Sequence, residues 1–554
     1  MLLIGLITNL SFYGRLSTNF VSPAGNQLGS LVIAVPILGA VVVGLMARYG
    51  SGAIRGHGIP EAMEQVLLNQ SRIPPRLTFL KPLSAAVSIG TGGPFGAEGP
   101  IIATGGALGS LIGQLLKTNA DERKTLLAAG AAACMSATFG SPVSAVLLAI
   151  ELLLFEFRSR SLIPVALASV TAAAVRMAFV GSTPIFAMPD LAPPGGAALA
   201  CYIMLGAAVG VASVYVTRVV YSIEDGFARL PMHWMWWPAL GAVAVGIIGY
   251  WAPRTMGVGY DVIEQILSGD ITGKVLIVLF LLKFASWAIS LGSGTSGGTL
   301  APLFIIGGGL GAALGSGIVF GLPGLGVDVR VAALVGMAAM FAGASRALLA
   351  SVVFAFETTL QPFGLLPLLG GCTAAYLVSS LLMKHTIMTE KIARRGVHVP
   401  TEYSADFLEQ TLVCHSASRP PVTLKGSDTV EKALLWIASG NPGARHQGFP
   451  VLDDEDNLMG VITQRELFNH VGPTTLKVRE LIERPPVIVY EDSTLREAVD
   501  LMAEEGIGRL PVVSRSNPYK VTSILTRSDI LSAQRRRLEE VRELKQSINW
   551  FNVR

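Results

Sequence analysis

The 554 residues are 51% hydrophobic and 14% charged with 61 glycines, a balance that departs from soluble globular proteins toward membrane proteins. Residues 1–390 hold 20 Lys+Arg and 16 Asp+Glu whereas residues 391–554 hold 22 of each, so an apolar membrane region precedes a soluble one. The formal net charge of +4 is small for this length and argues against nucleic acid as a partner, and Cys134, Cys201, Cys372 and Cys414 lie too far apart to suggest a disulfide framework or a metal site.

The chain opens on Met1-Leu-Leu-Ile-Gly-Leu-Ile7, apolar at once and without the basic start or small-residue cleavage site of a signal peptide. It reads as a helix that lacks its beginning. Apolar stretches follow at 29–47, 101–116, 125–155, 199–223, 236–252, 274–292, 299–322, 330–358 and 363–383. Several are too short, too long or too broken for a straight crossing helix, which needs about 20 apolar residues. The strongest breaks are the Gly/Pro-rich runs Gly90–Pro100 and Gly292–Pro302. Irregular backbone at membrane depth is tolerated where protein buries it or a polar cavity passes, so these runs point to a pathway; kinked packing helices are the plainer alternative.

The chain also repeats itself. Gly56–Met63 has a counterpart in Gly257–Glu264, Glu98–Pro100 in Leu300–Pro302, and Ser144–Glu151 in Ala350–Glu357, at offsets of 201, 202 and 206 residues. Three elements in one order at nearly one offset imply two structurally related halves, an arrangement that builds a midplane site in transporters. The run Gly307–Gly315 is a small-residue face suited to close helix packing. Gly292–Gly297 spells Gly-x-Gly-x-x-Gly but lacks the strand and βαβ setting of a dinucleotide site.

The loops Gly56–Pro60, Gly96–Pro100 and Gly298–Pro302, with Met388 in Thr386–Glu390, resemble the anion-path motifs of the CLC family of chloride channels and proton/chloride antiporters, over residues 1 to about 396. Each loop stands just ahead of a helix. Unpaired N–H groups and the positive end of the helix dipole then favour an anion without a fixed cation, which would bind too tightly to release it. The resemblance implies anion contacts from His57, Gly58, Gly96, Ala97, Gly99, Thr299, Leu300 and Met388, with Glu98 as the gate. In the role that the resemblance implies, the ionised Glu98 would occupy the anion site as a tethered surrogate and the protonated one would swing out.

Three positions depart from the family pattern. His57 stands where Ser is frequent, Met388 where Tyr is common, and Leu152 where antiporters place an internal proton-accepting Glu. A channel-like chloride pathway is therefore expected, with a proton/chloride antiporter as the alternative and a CBS-bearing membrane sensor or cation transporter as a further one. His57 has two readings, an anion donor or a residue facing the cytoplasm beside Arg55. Glu151 and Glu357 read as structural, capping helices or pairing with Arg158 and Arg346.

After residue 412 a second repeat appears. Thr429–Ala433 and Thr494–Ala498 open helices, Gly448–Val451 and Gly508–Val512 open strands, and Val461–Glu466 and Ser523–Asp529 lead from strand to helix, at spacings of 65, 61 and 63 residues. This resembles tandem CBS domains, which implies an adenine nucleotide held by Thr526 and Asp529, or else a structural, dimer-forming pair; the first module has the longer Glu466 in place of Asp.

The expected fold is thus an α-helical polytopic membrane protein with two repeated halves and broken helices, followed by a soluble α/β CBS pair. Its expected divisions are a membrane domain 1–396 with halves of about 1–190 and 195–390, a linker 397–411, CBS domains 412–472 and 476–536, and a helical tail 537–554. The resemblance further implies a homodimer in the plasma (inner) membrane, in contact with lipid and carrying chloride or a similar anion. The CBS pair would be cytoplasmic, with no enzymatic activity, no metal and no required cofactor.

Overall fold

The computed structural model describes residues 1–397, 407–418 and 420–549, of which 409, 410 and 540–549 are described by backbone alone. The expected linker and tail fall partly outside these residues. The chain divides into two compact units, Met1–Tyr403 and Ser404–Arg554.

In the first unit eight helices form the first half: α1 Leu2–Thr8, α2 Ala34–Leu45, α3 Ile59–Leu68, α4 Pro75–Gly90, α5 Glu98–Leu115, α6 Ala120–Phe139, α7 Pro142–Ala149 and α8 Ser159–Val180. Eight more form the second half: α9 Gly196–Ala228, α10 Trp237–Trp251, α11 Tyr260–Ser268, α12 Gly273–Gly292, α13 Leu300–Gly321, α14 Val329–Ser345, α15 Leu348–Thr359 and α16 Leu365–Leu382. The short α17 Glu390–Arg394 follows. Among the described residues, six helical segments are long and apolar enough to span a bilayer, including Gly196–Ala228, Gly273–Gly292 and Leu300–Gly321.

The two long apolar runs of the sequence are each two helices. The run 125–155 breaks at Gly140, which caps α6 at φ 62° just ahead of Pro142. The run 330–358 breaks at the equivalent Arg346, at φ 61°. Left-handed backbone is strained for a residue with a Cβ. Here the guanidinium compensates by donating to the carbonyl oxygens of Met383 and Ser379, which tie the break to the end of α16. It does not serve Glu357.

Glu151 and Glu357 instead act as caps, each for the other half. Glu151 accepts the N–H groups of Leu349 and Ala350 at 3.0 Å each, at the start of α15. Glu357 accepts those of Val143 and Ser144 at 3.0 and 2.8 Å, at the start of α7. Such reciprocity requires a local two-fold relation between the halves. The same relation governs packing: a Cβ on Gly105 of α5 would lie 2.3 Å from the Gly130 carbonyl oxygen on α6, and one on Gly307 of α13 2.4 Å from that of Gly336 on α14. Only glycine allows these helix backbones to touch, as the small-residue run at 307–315 suggested.

In the second unit α18 Phe407–Gln410 leads into two similar modules. The first contains β1 Leu424–Lys425, α19 Val430–Ala438, β2 Gly448–Leu452, β3 Leu458–Thr463 and α20 Gln464–Phe468. The second contains β4 Val489–Tyr490, α21 Leu495–Glu504, β5 Arg509–Ser514, β6 Asn517–Thr526 and α22 Arg527–Asn549. Each sheet pairs its first two strands in parallel and its last two antiparallel. Val413 packs into the core of the second module, whereas Leu476 and Val478 pack into that of the first. The leading segments thus cross between the modules and join them.

Candidate functional site

The site of the membrane unit is assembled from loops that meet backbone to backbone. Gly96 and Gly298, equivalent in the two halves, exchange N–H to carbonyl hydrogen bonds at 3.1 and 2.8 Å. A Cβ on Gly99 would come 1.8 Å from the His57 carbonyl oxygen, and one on Gly58, at φ 97°, 2.3 Å from that of Gly99. These contacts bring together the starts of α3, α5 and α13, whose first N–H groups have no partner within their own helices. The sequence had named their residues: His57 and Gly58 before α3, Gly96, Ala97 and Gly99 around the start of α5, Thr299 and Leu300 at the start of α13. Not every N–H there is open, because Gly58 donates to the Glu61 carboxylate at 2.6 Å and Gly96 to Gly298. Thr299 is wholly buried and its hydroxyl has no partner among the described residues.

Glu98 is 1% exposed and lies at the first position of α5. One carboxylate oxygen rests over Gly96, where an added Cβ would come 1.8 Å from that oxygen and 3.1 Å from the Ala301 nitrogen. That oxygen has no hydrogen-bond partner among the described residues; the other accepts the Tyr260 hydroxyl at 2.9 Å. A negative group therefore occupies the space between the starts of α5 and α13, where the helix dipoles favour an anion.

Two buried lysines hold the loops in shape. Lys81 of α4 donates to the carbonyl oxygens of Ile54 and Gly56 at 2.8 and 2.9 Å. Lys283 of α12 donates to those of Thr255 and Gly257 at 3.0 and 2.9 Å. Each turns two carbonyls of a loop ahead of α3 or α11 toward itself, so that the following glycine can present the helix start. Sequence reasoning passed over both lysines and Tyr260. The signal was present, since Lys81 and Lys283 are cations in the interior of apolar helices whose other charge, Arg76 or Lys274, sits in the first turn, and they stand at the same 202-residue offset as the loops.

A cavity of about 450 Å³ reaches His57 and Gly56 and is lined also by Arg55, Glu61, Lys81, Tyr221, Glu224 and Lys391. His57 is 5% exposed and its Nδ1 has no partner among the described residues. Glu61 joins Lys391 at 2.8 Å, and Arg55 lies over the rings of Trp234 and Trp237. Met388 is fully buried on a segment held by Ile387, which donates to Ala344 at 3.0 Å and accepts the Tyr221 hydroxyl at 2.8 Å. A phenol thus reaches the neighbouring backbone even though Met388 itself carries none.

In the second unit Asp529 accepts from the Thr526 N–H and hydroxyl at 2.8 and 2.6 Å and from the Ser418 hydroxyl at 2.8 Å. The equivalent Glu466 accepts from the Thr463 N–H and hydroxyl at 2.6 and 2.8 Å. Burial pushes the nearby Arg509 guanidinium below its ordinary value, and the Glu466 charge opposes that. Both acids close helix-start turns.

The profile of the voltage gated chloride channel family matches residues 38–380, and that of the CBS domain matches 414–472 and 478–536. Chloride channel protein CLC-f of Arabidopsis thaliana is 29% identical over 563 residues, 87% of this chain and 70% of that protein. The H(+)/Cl(-) exchange transporter ClcA of Vibrio parahaemolyticus is 28% identical over 406 residues, 69% of this chain and 86% of that protein. Two solved structures share the fold. One is a slow cyanobacterial Cl-/H+ antiporter, with TM-score 0.63, 24% identity and coverage of 71% of this chain and 92% of that one. The other is a eukaryotic CLC transporter, with TM-score 0.59, 21% identity and coverage of 95% and 94%. With its paired halves, its helix starts meeting around a buried glutamate and its tandem CBS domains, the chain belongs to the voltage-gated chloride channel (CLC) family of integral membrane anion-transport proteins.

Proposed function

We propose that the membrane unit conducts chloride or a similar anion in a channel-like manner, with Glu98 as the gate. The observation that carries this reading is the Glu98 carboxylate, buried between the starts of α5 and α13 and held by Tyr260 as an anion would be. In this reading Ala97, Gly99, Thr299 and Leu300 supply the donors around it, and His57 and Met388 line the inner end of the path. Weak proton coupling follows from two residues: Leu152 cannot titrate, and Glu151 caps α15. The chain works as a homodimer in the plasma membrane, surrounded by lipid, with its CBS pair on the cytoplasmic side. An adenine nucleotide at Thr526 and Asp529 modulates it, and transport itself needs no cofactor and involves no enzymatic step.

The proton/chloride antiporter reading is favoured by the relatives named as exchangers and by Glu224, a carboxylate lining the cavity. One liposome experiment tests both. In the wild type, anion flux should rise as the pH falls; Glu98→Gln should raise flux at neutral pH and flatten its pH dependence. A variant as pH-sensitive as wild type removes Glu98 from the gate. With the membrane potential clamped near zero, uphill proton movement at a fixed ratio to chloride establishes the antiporter and overturns the channel reading.

A further inference from the structure

We propose that the Tyr260 hydroxyl is a donor shared in turn by two acceptors, the Glu98 carboxylate when the pathway is closed and the permeating anion when it is open. The proposal rests on Glu98 as the gate. If the Glu98 carboxylate occupies the place of an anion, the groups that donate to it are the anion's donors too; one oxygen rests over Gly96, and the other accepts the Tyr260 hydroxyl at 2.9 Å.

The phenol is built to stay in place. Its ring packs against Phe20, Phe139 and Phe186, with centroids 6.2, 5.9 and 6.0 Å away, so the hydroxyl remains aimed when its partner leaves. Tyr260 is the first residue of α11, whose preceding loop Lys283 holds through the Thr255 and Gly257 carbonyls. The two-fold relation between the halves is broken here. The equivalent first residue of α3 is Ile59, which is fully buried and has no hydroxyl, so this donor exists on one side of the site alone. It gives the site a phenol from the start of α11 and not from the turn that carries Met388.

The charged group whose field reaches Glu98 is Lys283 on α12, and Asp261 of α11 faces Lys283 in turn. Neither is altered by removing the Tyr260 hydroxyl, so the effect of that removal isolates the hydrogen bond. Tyr260 stabilises the ionised, seated carboxylate. Without it the seated state is weaker, protonation opens the gate at higher pH, and an anion in the same place binds less tightly.

The test uses full-length protein in four forms: wild type, Tyr260→Phe, Glu98→Gln and the double variant. Phenylalanine keeps the ring and its aromatic contacts. In liposomes, Tyr260→Phe should shift the pH of half-maximal chloride flux upward by about one unit, the scale of one hydrogen bond to a charged group. By calorimetry in detergent, the double variant should bind chloride roughly tenfold more weakly than Glu98→Gln alone. An unshifted profile or equal affinities overturn the assignment of Tyr260. If Glu98→Gln itself leaves the pH dependence intact, the gate reading falls, which is distinct from a flat Glu98→Gln profile beside an unshifted Tyr260→Phe profile.

Discussion

At the scale of single residues, the site is governed by side chains that shape backbone. Lys283 is fully buried and both carbonyl oxygens that it binds belong to the loop ahead of α11. Replacing it with Met keeps the stem and removes the donor. Two carbonyls are then left without it in an apolar interior, and each such loss costs about 1–3 kcal/mol. Removing the buried ammonium gives back part of its desolvation cost, yet the loop loses the donor that joins its Thr255 and Gly257 carbonyls. We expect Lys283→Met to lower stability by about 2 kcal/mol, read as an earlier thermal unfolding midpoint in detergent. A midpoint equal to wild type would show that the loop is held by other contacts. Lys81 offers the matching measurement in the first half.

At the scale of elements, helix starts recur at the candidate sites of both units. Asp529 closes the turn that begins α22 and already accepts three hydrogen bonds from Thr526 and Ser418. A ribose diol must compete with those donors. Calorimetry on the full chain with ATP, ADP and AMP should show heat that Asp529→Ala abolishes, together with a loss of about 1 kcal/mol for the missing cap. Heat that survives Asp529→Ala moves the nucleotide elsewhere. The repeated loops were legible before the structure because glycine and proline mark them, and the helix starts fall at Glu98 and Leu300 as the 202-residue offset requires. The break inside 125–155 could be read from Gly140 and Pro142. Its partner at Arg346 could not, since an arginine in left-handed backbone is offset by carbonyls 33 and 37 residues away, at Ser379 and Met383. Tyr260 escaped for a similar reason: its value lies in a contact with Glu98 across 162 positions, and no local pattern announces that.

At the scale of the whole molecule, we expect the protein in detergent to have the mass of two 58.3 kDa chains, with cross-linking to match. A monomer that still carries flux would refute the dimer. Within each chain the exchanged caps have their own consequence. Glu151 of the first half finishes a helix of the second, and Glu357 of the second finishes a helix of the first. A single half-length ancestor with one such glutamate, meeting a copy of itself head to head, would already satisfy both helix ends by symmetry. Fusion of the two copies into one gene would need no new contact at this seam, and it would free each half to diverge, as Ile59 and Tyr260 have, into a pathway whose two sides are no longer alike.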